Sequence, residues 1–135
     1  MDDSRGGPRG ATSTAQDLGS ISVLLVEDDP AVRGVVERVL TRLGHRVRGV
    51  ASPAEAESAA GFDLAIVDLN LGGASQDGLR LLQSLEAAHP QASFVLTSGA
   101  RPHLAAPEEG GPFFLQKPFS RSELVAVIER ARARP

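Results

Sequence analysis

The chain has 135 residues, 41% hydrophobic and 23% charged, with 14 basic against 17 acidic side chains. That length fits one domain with an ordinary core, and a net charge of −3 gives no case for nucleic acid as a partner. The absence of cysteine excludes a disulfide framework, a thiolate metal site and a cysteine nucleophile.

Residues 1–20 carry Gly, Ser, Thr, Pro and mixed charge with almost no large apolar side chain. They are expected to form a disordered tail, leaving 21–135 as the folded domain. Neither a membrane span nor the apolar core of a signal peptide is present in the sequence, so a cytoplasmic protein is expected. From Ile21 the run ISVLLV reads as a short parallel strand buried on both faces. It closes in Glu27, Asp28 and Asp29. Pro30 suits the first turn of a helix and Asp29 suits its N-cap. Val32, Val35, Val36, Val39, Leu40 and Leu43 then fall on one helical stripe, with Gly44 as the stop. Arg46–Val50 reads as a weak strand, and Ser52 with Glu55 has capping-box spacing before a short Ala-rich helix. FDLAIVDL is a strongly apolar strand ending at Asp68. A Gly-rich loop leads to a helix marked by Leu79, Leu81, Leu82 and Leu85. SFVLT, Ser93–Thr97, is the fourth strand and Phe113–Gln116 the fifth. Ser120 and Glu123 form a second capping box, opening a helix with Leu124, Val127, Ile128 and Ala131 on one face.

Five strands alternating with at least four helices predict an α/β fold, a doubly wound parallel sheet. In such sheets the ligand site lies beyond the carboxyl ends of the strands. Those ends are specific here: Glu27-Asp28-Asp29, then Asp68, then Thr97, then Lys117 followed by Pro118. Carboxylates gathered at one edge repel, by about 4 kcal/mol for two unit charges ~4 Å apart at an effective dielectric of 20. Protonation or a cation must relieve that. Oxygen ligands without Cys or His favour Mg²⁺. A carboxylate can also attack phosphorus to give an aspartyl phosphate. Thr97 could donate its hydroxyl to a phosphoryl oxygen, and Lys117 could supply compensating charge.

In this setting VLLVEDDP, LAIVDLNL, DGLRLL, VLTSGA and FLQKPFS occur in order across about residues 21–133. The sequence resembles the receiver domain of two-component response regulators. The resemblance implies a flavodoxin-like sheet of strand order 2-1-3-4-5. It implies Asp68 as phosphoacceptor. Asp28 and Asp29 would hold Mg²⁺ together with Asp68 and the backbone carbonyl of Asn70, and Glu27 would tune the pocket without being a primary ligand. Thr97 would follow the phosphoryl group, Lys117 would pair with its oxygens, and Phe114 would be the switch aromatic. Lys117–Pro118 would be cis. The implied partner is a histidine kinase or a histidine phosphotransfer protein. The state would be read by an unidentified protein target or passed on by phosphotransfer, and the acyl phosphate would hydrolyse partly by the domain's own action.

Two departures stand out. The loop Asn70–Gly78 is about two residues longer than the common form and has Gly72 where many members have Pro. Residues 99–112, GARPHLAAPEEGGP, ought to hold the fourth helix, yet three prolines and three glycines leave room for one or two turns around His103–Ala106. A shortened fourth helix predicts a monomer, because that region commonly carries dimerisation in the family. A haloacid dehalogenase-type phosphohydrolase would need a second Asp two residues after the nucleophile, where Asn70 stands. A flavodoxin-like nucleotide binder would need a phosphate cradle where EDDP stands. A receiver module of a larger hybrid histidine kinase and a phosphorylation-independent scaffold are the remaining alternatives.

Overall fold

A computed structural model of the protein describes residues 19–71 and 75–133. The tail expected over 1–20, except its last two residues, and the Gly72 feature of the long loop therefore lie outside the described residues. The elements are β1 (Ser22–Val26), α1 (Pro30–Arg42), β2 (Arg46–Val50), α2 (Pro53–Glu57) and β3 (Leu64–Asp68), followed by α3 (Ser75–Ala88), β4 (Ser93–Ser98), a 3₁₀ turn (Pro107–Glu109), β5 (Phe113–Gln116) and α4 (Arg121–Arg132). All neighbouring strands run parallel, in the order β2-β1-β3-β4-β5. The architecture is the doubly wound sheet that the alternation predicts.

Pleating divides the apolar side chains between two cores. Leu24, Val26, Ala65, Val67, Phe94 and Leu96 face α2 and α3, meeting Ala56, Leu81, Leu82 and Leu85. Val23, Leu25, Leu64, Ile66 and Val95 face the other way, meeting Val36 and Leu40 of α1 and Leu124, Val127, Ile128 and Ala131 of α4. Burial on both faces is why β1, β3 and β4 read as unbroken apolar runs. The α1 stripe is narrower than the spacing implies: Val35 is 51% exposed. It sits roughly 100° round the helix from Val36, which carries the buried line with Leu40.

The caps predicted from spacing are formed. Ser52 accepts from the Glu55 N–H, and Ser120 and Glu123 make a reciprocal capping box. Gly78 in the first turn of α3 has a packing cause: a Cβ there would overlap the carbonyl oxygens of Leu69 and Asp68. That contact presses α3 against the strand end that carries Asp68.

Residues 101–106 have no regular structure, and the helical turn lies at Pro107–Glu109 instead of around His103–Ala106. Pro107 explains the shift. It forces Ala106 into extended backbone (φ −69°, ψ 160°) and itself occupies the first helical position. Gly110, at φ 91°, ends the turn at once. No longer helix intervenes between β4 and β5. A groove of about 790 Å³ remains there, lined by Leu96, Arg101, Leu104, Phe114 and Arg130 among others.

Candidate functional site

Parallel pairing brings the predicted strand ends to one edge. The Glu27 N–H still donates to the Val50 carbonyl at 3.0 Å, so the chain stays extended one residue beyond β1. Glu27, Asp28 and Asp68 then each place a carboxylate oxygen so that all three lie within 4.8 Å of one another. Glu27 and Asp68 are buried, whereas Asp28 opens to solvent. Lys117 reaches in from the end of β5. Its Nζ lies 2.8 Å from Glu27 Oε1 and 3.4 Å from Asp68 Oδ2. The other oxygen of Asp68, Oδ1, accepts from the Asn70 N–H at 3.2 Å. Asn70, whose carbonyl the resemblance offers as a ligand, is exposed on the loop that follows.

Thr97 is buried and stands opposite Asp68 in the β3–β4 register. The Leu69 N–H donates to the Thr97 carbonyl at 2.8 Å, and the Lys117 N–H to the Ser98 carbonyl at 2.8 Å. These ladder bonds fix Asp68, Thr97 and Lys117 relative to one another. The Lys117–Pro118 bond is cis. Phe114 is half-buried on β5, paired with Leu96 one residue before Thr97.

The acidic run divides differently from the sequence expectation. Asp29 is not among the three gathered carboxylates. It is the N-cap of α1, with Oδ1 accepting from Ala31 N–H at 2.9 Å and Val32 N–H at 3.4 Å. Glu27 takes the inner place. Its Oε2 accepts from the Asp29 N–H at 3.2 Å, and its carbonyl accepts from Arg33 Nη1 at 2.7 Å. The signal available in sequence was position: Glu27 is the first residue past the apolar run and so the least able to turn away. Ser98 also went unnoticed. It is buried, and its Oγ accepts from the Ala100 N–H at 3.2 Å, shaping the loop after β4.

Burial raises the pKa of Glu27 above its ordinary value, aided by the Asp68 charge. The hydrogen bonds from Lys117 and the Asp29 N–H oppose that shift without cancelling it. For Lys117 burial works downward, but the Glu27 hydrogen bond and the charges of Glu27 and Asp68 overcome it and the pKa is raised. Asp68 thus acts in opposite senses on the two partners, destabilising an ionised Glu27 and stabilising an ionised Lys117.

The donor set fits a hard divalent cation. Every ligand atom is oxygen, and the exposed side of Asp28 leaves space for the waters that Mg²⁺ retains. Bound there, such an ion would supply positive charge against the carboxylates and against an incoming phosphoryl group.

A five-stranded parallel sheet of this order, with an acidic trio and a lysine at its carboxyl edge, defines a receiver-type phosphoacceptor fold. The chain belongs to that family: residues 23–129 match the family model of the response regulator receiver domain. Over 115 residues it is 36% identical to the nitrogen assimilation regulatory protein NtrX of Azorhizobium caulinodans, an alignment covering 81% of this chain and 25% of that protein. Over 121 residues it is 38% identical to the regulatory protein VirG of Agrobacterium tumefaciens, covering 84% of this chain and 44% of that one. The sensor kinase CckA of Brucella abortus is 36% identical over 124 residues, 85% of this chain and 13% of the kinase. The chain therefore spans less than half the length of these curated relatives. Among solved structures, the receiver domain of NtrX from Brucella abortus matches with a TM-score of 0.74 and 30% identity, covering 84% of this chain and 99% of that one. The chemotaxis protein CheY4 of Vibrio cholerae shares the fold at a TM-score of 0.69 and 22% identity, covering 83% of this chain and 98% of that one. Among the described residues no helix is long and apolar enough to cross a membrane.

Proposed function

We propose that Asp68 is the phosphoacceptor of a two-component relay. The observation that carries this reading is a buried Asp68 carboxylate held 3.4 Å from Lys117 Nζ beside two further carboxylates, one of them open to solvent. An Asp68 oxygen attacks the phosphorus of a phosphohistidine on a histidine kinase or histidine phosphotransfer protein. The P–N bond breaks and its electron pair returns to the imidazole, leaving an acyl phosphate on Asp68. Asp28 and Asp68, with the Asn70 carbonyl, would hold Mg²⁺, and Glu27 lines the same pocket. Asp29 contributes by fixing the start of α1. Lys117 pairs with the phosphoryl oxygens, and Thr97 donates its hydroxyl to one of them. Water later cleaves the acyl phosphate and regenerates the carboxylate, a self-limiting reset rather than turnover of a substrate.

Phe114, next to Leu96 and one pleat from Thr97, reports the phosphorylated state to a protein target as a shift between two conformers. The protein works as a monomer in the cytoplasm. The likeness to a stretch of a sensor kinase supports a second setting for the same chemistry, as a receiver module within a larger hybrid kinase.

Incubation with a radiolabelled phosphohistidine donor tests the reading. The native protein is expected to take up label and Asp68→Asn to take up none. Equal labelling of the variant would overturn the assignment of Asp68.

A further inference from the structure

We infer that Arg101 is a positioning residue that holds the Phe114 ring against the groove between β4 and β5 and so biases the conformational equilibrium of the phosphorylation site. This rests on the phosphoacceptor reading above.

No full helix lies between β4 and β5. Where residues 101–106 run irregularly, no helical side chains cover Phe114. Its ring is half-buried, packed against the core cluster that contains Leu96 and Val67 on one side and facing the groove on the other. The Arg101 guanidinium closes that open side, with Cζ 5.1 Å from the ring centroid. A phenyl ring has no hydroxyl to anchor it, so its polar restraint is the cation over its face.

The connection to the site is short. Arg101 follows Thr97 by four residues through Ser98, Gly99 and Ala100. Ser98 Oγ accepts from the Ala100 N–H at 3.2 Å, and Gln116 Nε2 donates to the Gly99 carbonyl at 3.2 Å, so this loop is tied to both β4 and β5. A displacement of Thr97 toward Asp68 would pull the loop and Arg101 with it, while Phe114 sits on the neighbouring strand. The cation and the ring therefore keep or lose their contact according to the position of Thr97. Arg101 itself is exposed, and its described contact is with the Phe114 ring, through which it acts.

A cation over an aromatic face at an exposed site shifts an equilibrium roughly two- to fivefold. The test is the affinity of the full chain for beryllofluoride, a phosphoryl mimic, in the presence of Mg²⁺. The proteins are the native form, Arg101→Ala, Arg101→Lys, Phe114→Leu and the Arg101→Ala/Phe114→Leu double variant. Arg101→Ala is expected to bind beryllofluoride about two- to fivefold more tightly than the native protein. Arg101→Lys should return most of the difference, and the effect of Arg101→Ala should vanish in the Phe114→Leu background. Unchanged affinity in Arg101→Ala, or an equal effect with and without the ring, would overturn the role of Arg101. Failure of the native protein to bind beryllofluoride at all would instead overturn the phosphoacceptor reading. Circular dichroism melts of the five proteins separate these outcomes from loss of fold.

Discussion

Replacing Lys117 by Met isolates the electrostatics of the buried trio. The Met side chain keeps the length and most of the apolar stem but removes the ammonium that lies 2.8 Å from Glu27 and 3.4 Å from Asp68. Both carboxylate side chains are then buried without their cation, at 4% and 3% exposure. Removing one partner of a fully buried pair costs about 3–5 kcal/mol. The lysine side chain is itself 27% exposed, which reduces the expected loss to about 2–3 kcal/mol at neutral pH. The loss has a pH signature. The pKa of Glu27 is already raised by burial and by the Asp68 charge, and without Lys117 it rises further. An acid with a raised pKa gains relative stability as pH falls through its titration, because the folded state then binds the extra proton. The gap between native and variant should therefore narrow markedly at pH 4.5, where the buried Glu27 takes up its proton. Urea unfolding followed by far-ultraviolet circular dichroism at pH 7.5 and pH 4.5 measures this, the chain having no Trp or Tyr to serve as a fluorescent probe. A gap equal at both pH values would show that the lysine matters through its stem and would refute the charge argument.

The division of the acidic run is separable by two variants. Asp29→Ala should cost about 1 kcal/mol through loss of the α1 cap while Mg²⁺ affinity, read by titration calorimetry, stays within twofold. Asp28→Asn should instead lower that affinity by at least the roughly tenfold that losing even an outer-sphere partner costs. At the opposite edge of the sheet, buried His45 accepts the Ile21 N–H on Nδ1 at 3.2 Å. Its pKa is lowered by burial and then by Arg132, with Glu129 opposing. A depressed pKa means stability that is complete above the ordinary imidazole range, ~6.5, and is lost as pH falls below it. His45→Asn retains an acceptor without titrating, so its melting temperature should fall less than that of the native protein between pH 7 and 5. Parallel slopes in the two proteins would exclude His45 as the cause.

The sheet was legible because β1, β3 and β4 are buried on both faces and so appear as unbroken apolar runs ending in polar residues. The places of Asp68 and Thr97 at the carboxyl edge were legible for the same reason, since each stands at the end of such a strand, while Lys117 follows the less buried β5. The allocation of Glu27, Asp28 and Asp29 was not. Three consecutive acids give no period, and which one turns aside is decided by the extra ladder bond from Glu27 to Val50 and by the two helix N–H groups that Asp29 accepts. The absence of a full helix between β4 and β5 was plain from the prolines and glycines of residues 99–112. The site of the surviving turn was not, because Pro107 acts on the residue before it as well as on itself. Arg101 gave no signal, since its contact with Phe114 depends on an irregular path between two strands.

Residues 21 and 132 line one hollow of about 510 Å³ at the sheet edge opposite the carboxylates. Five strand residues at ~3.3 Å each separate that edge from Asp68, about 17 Å. A dye, a surface tether or a fused reporter joined beside either position would leave the Asp68 edge unshadowed. Single-molecule observation of partners meeting the carboxylate edge is therefore open to this protein without redesign of that edge.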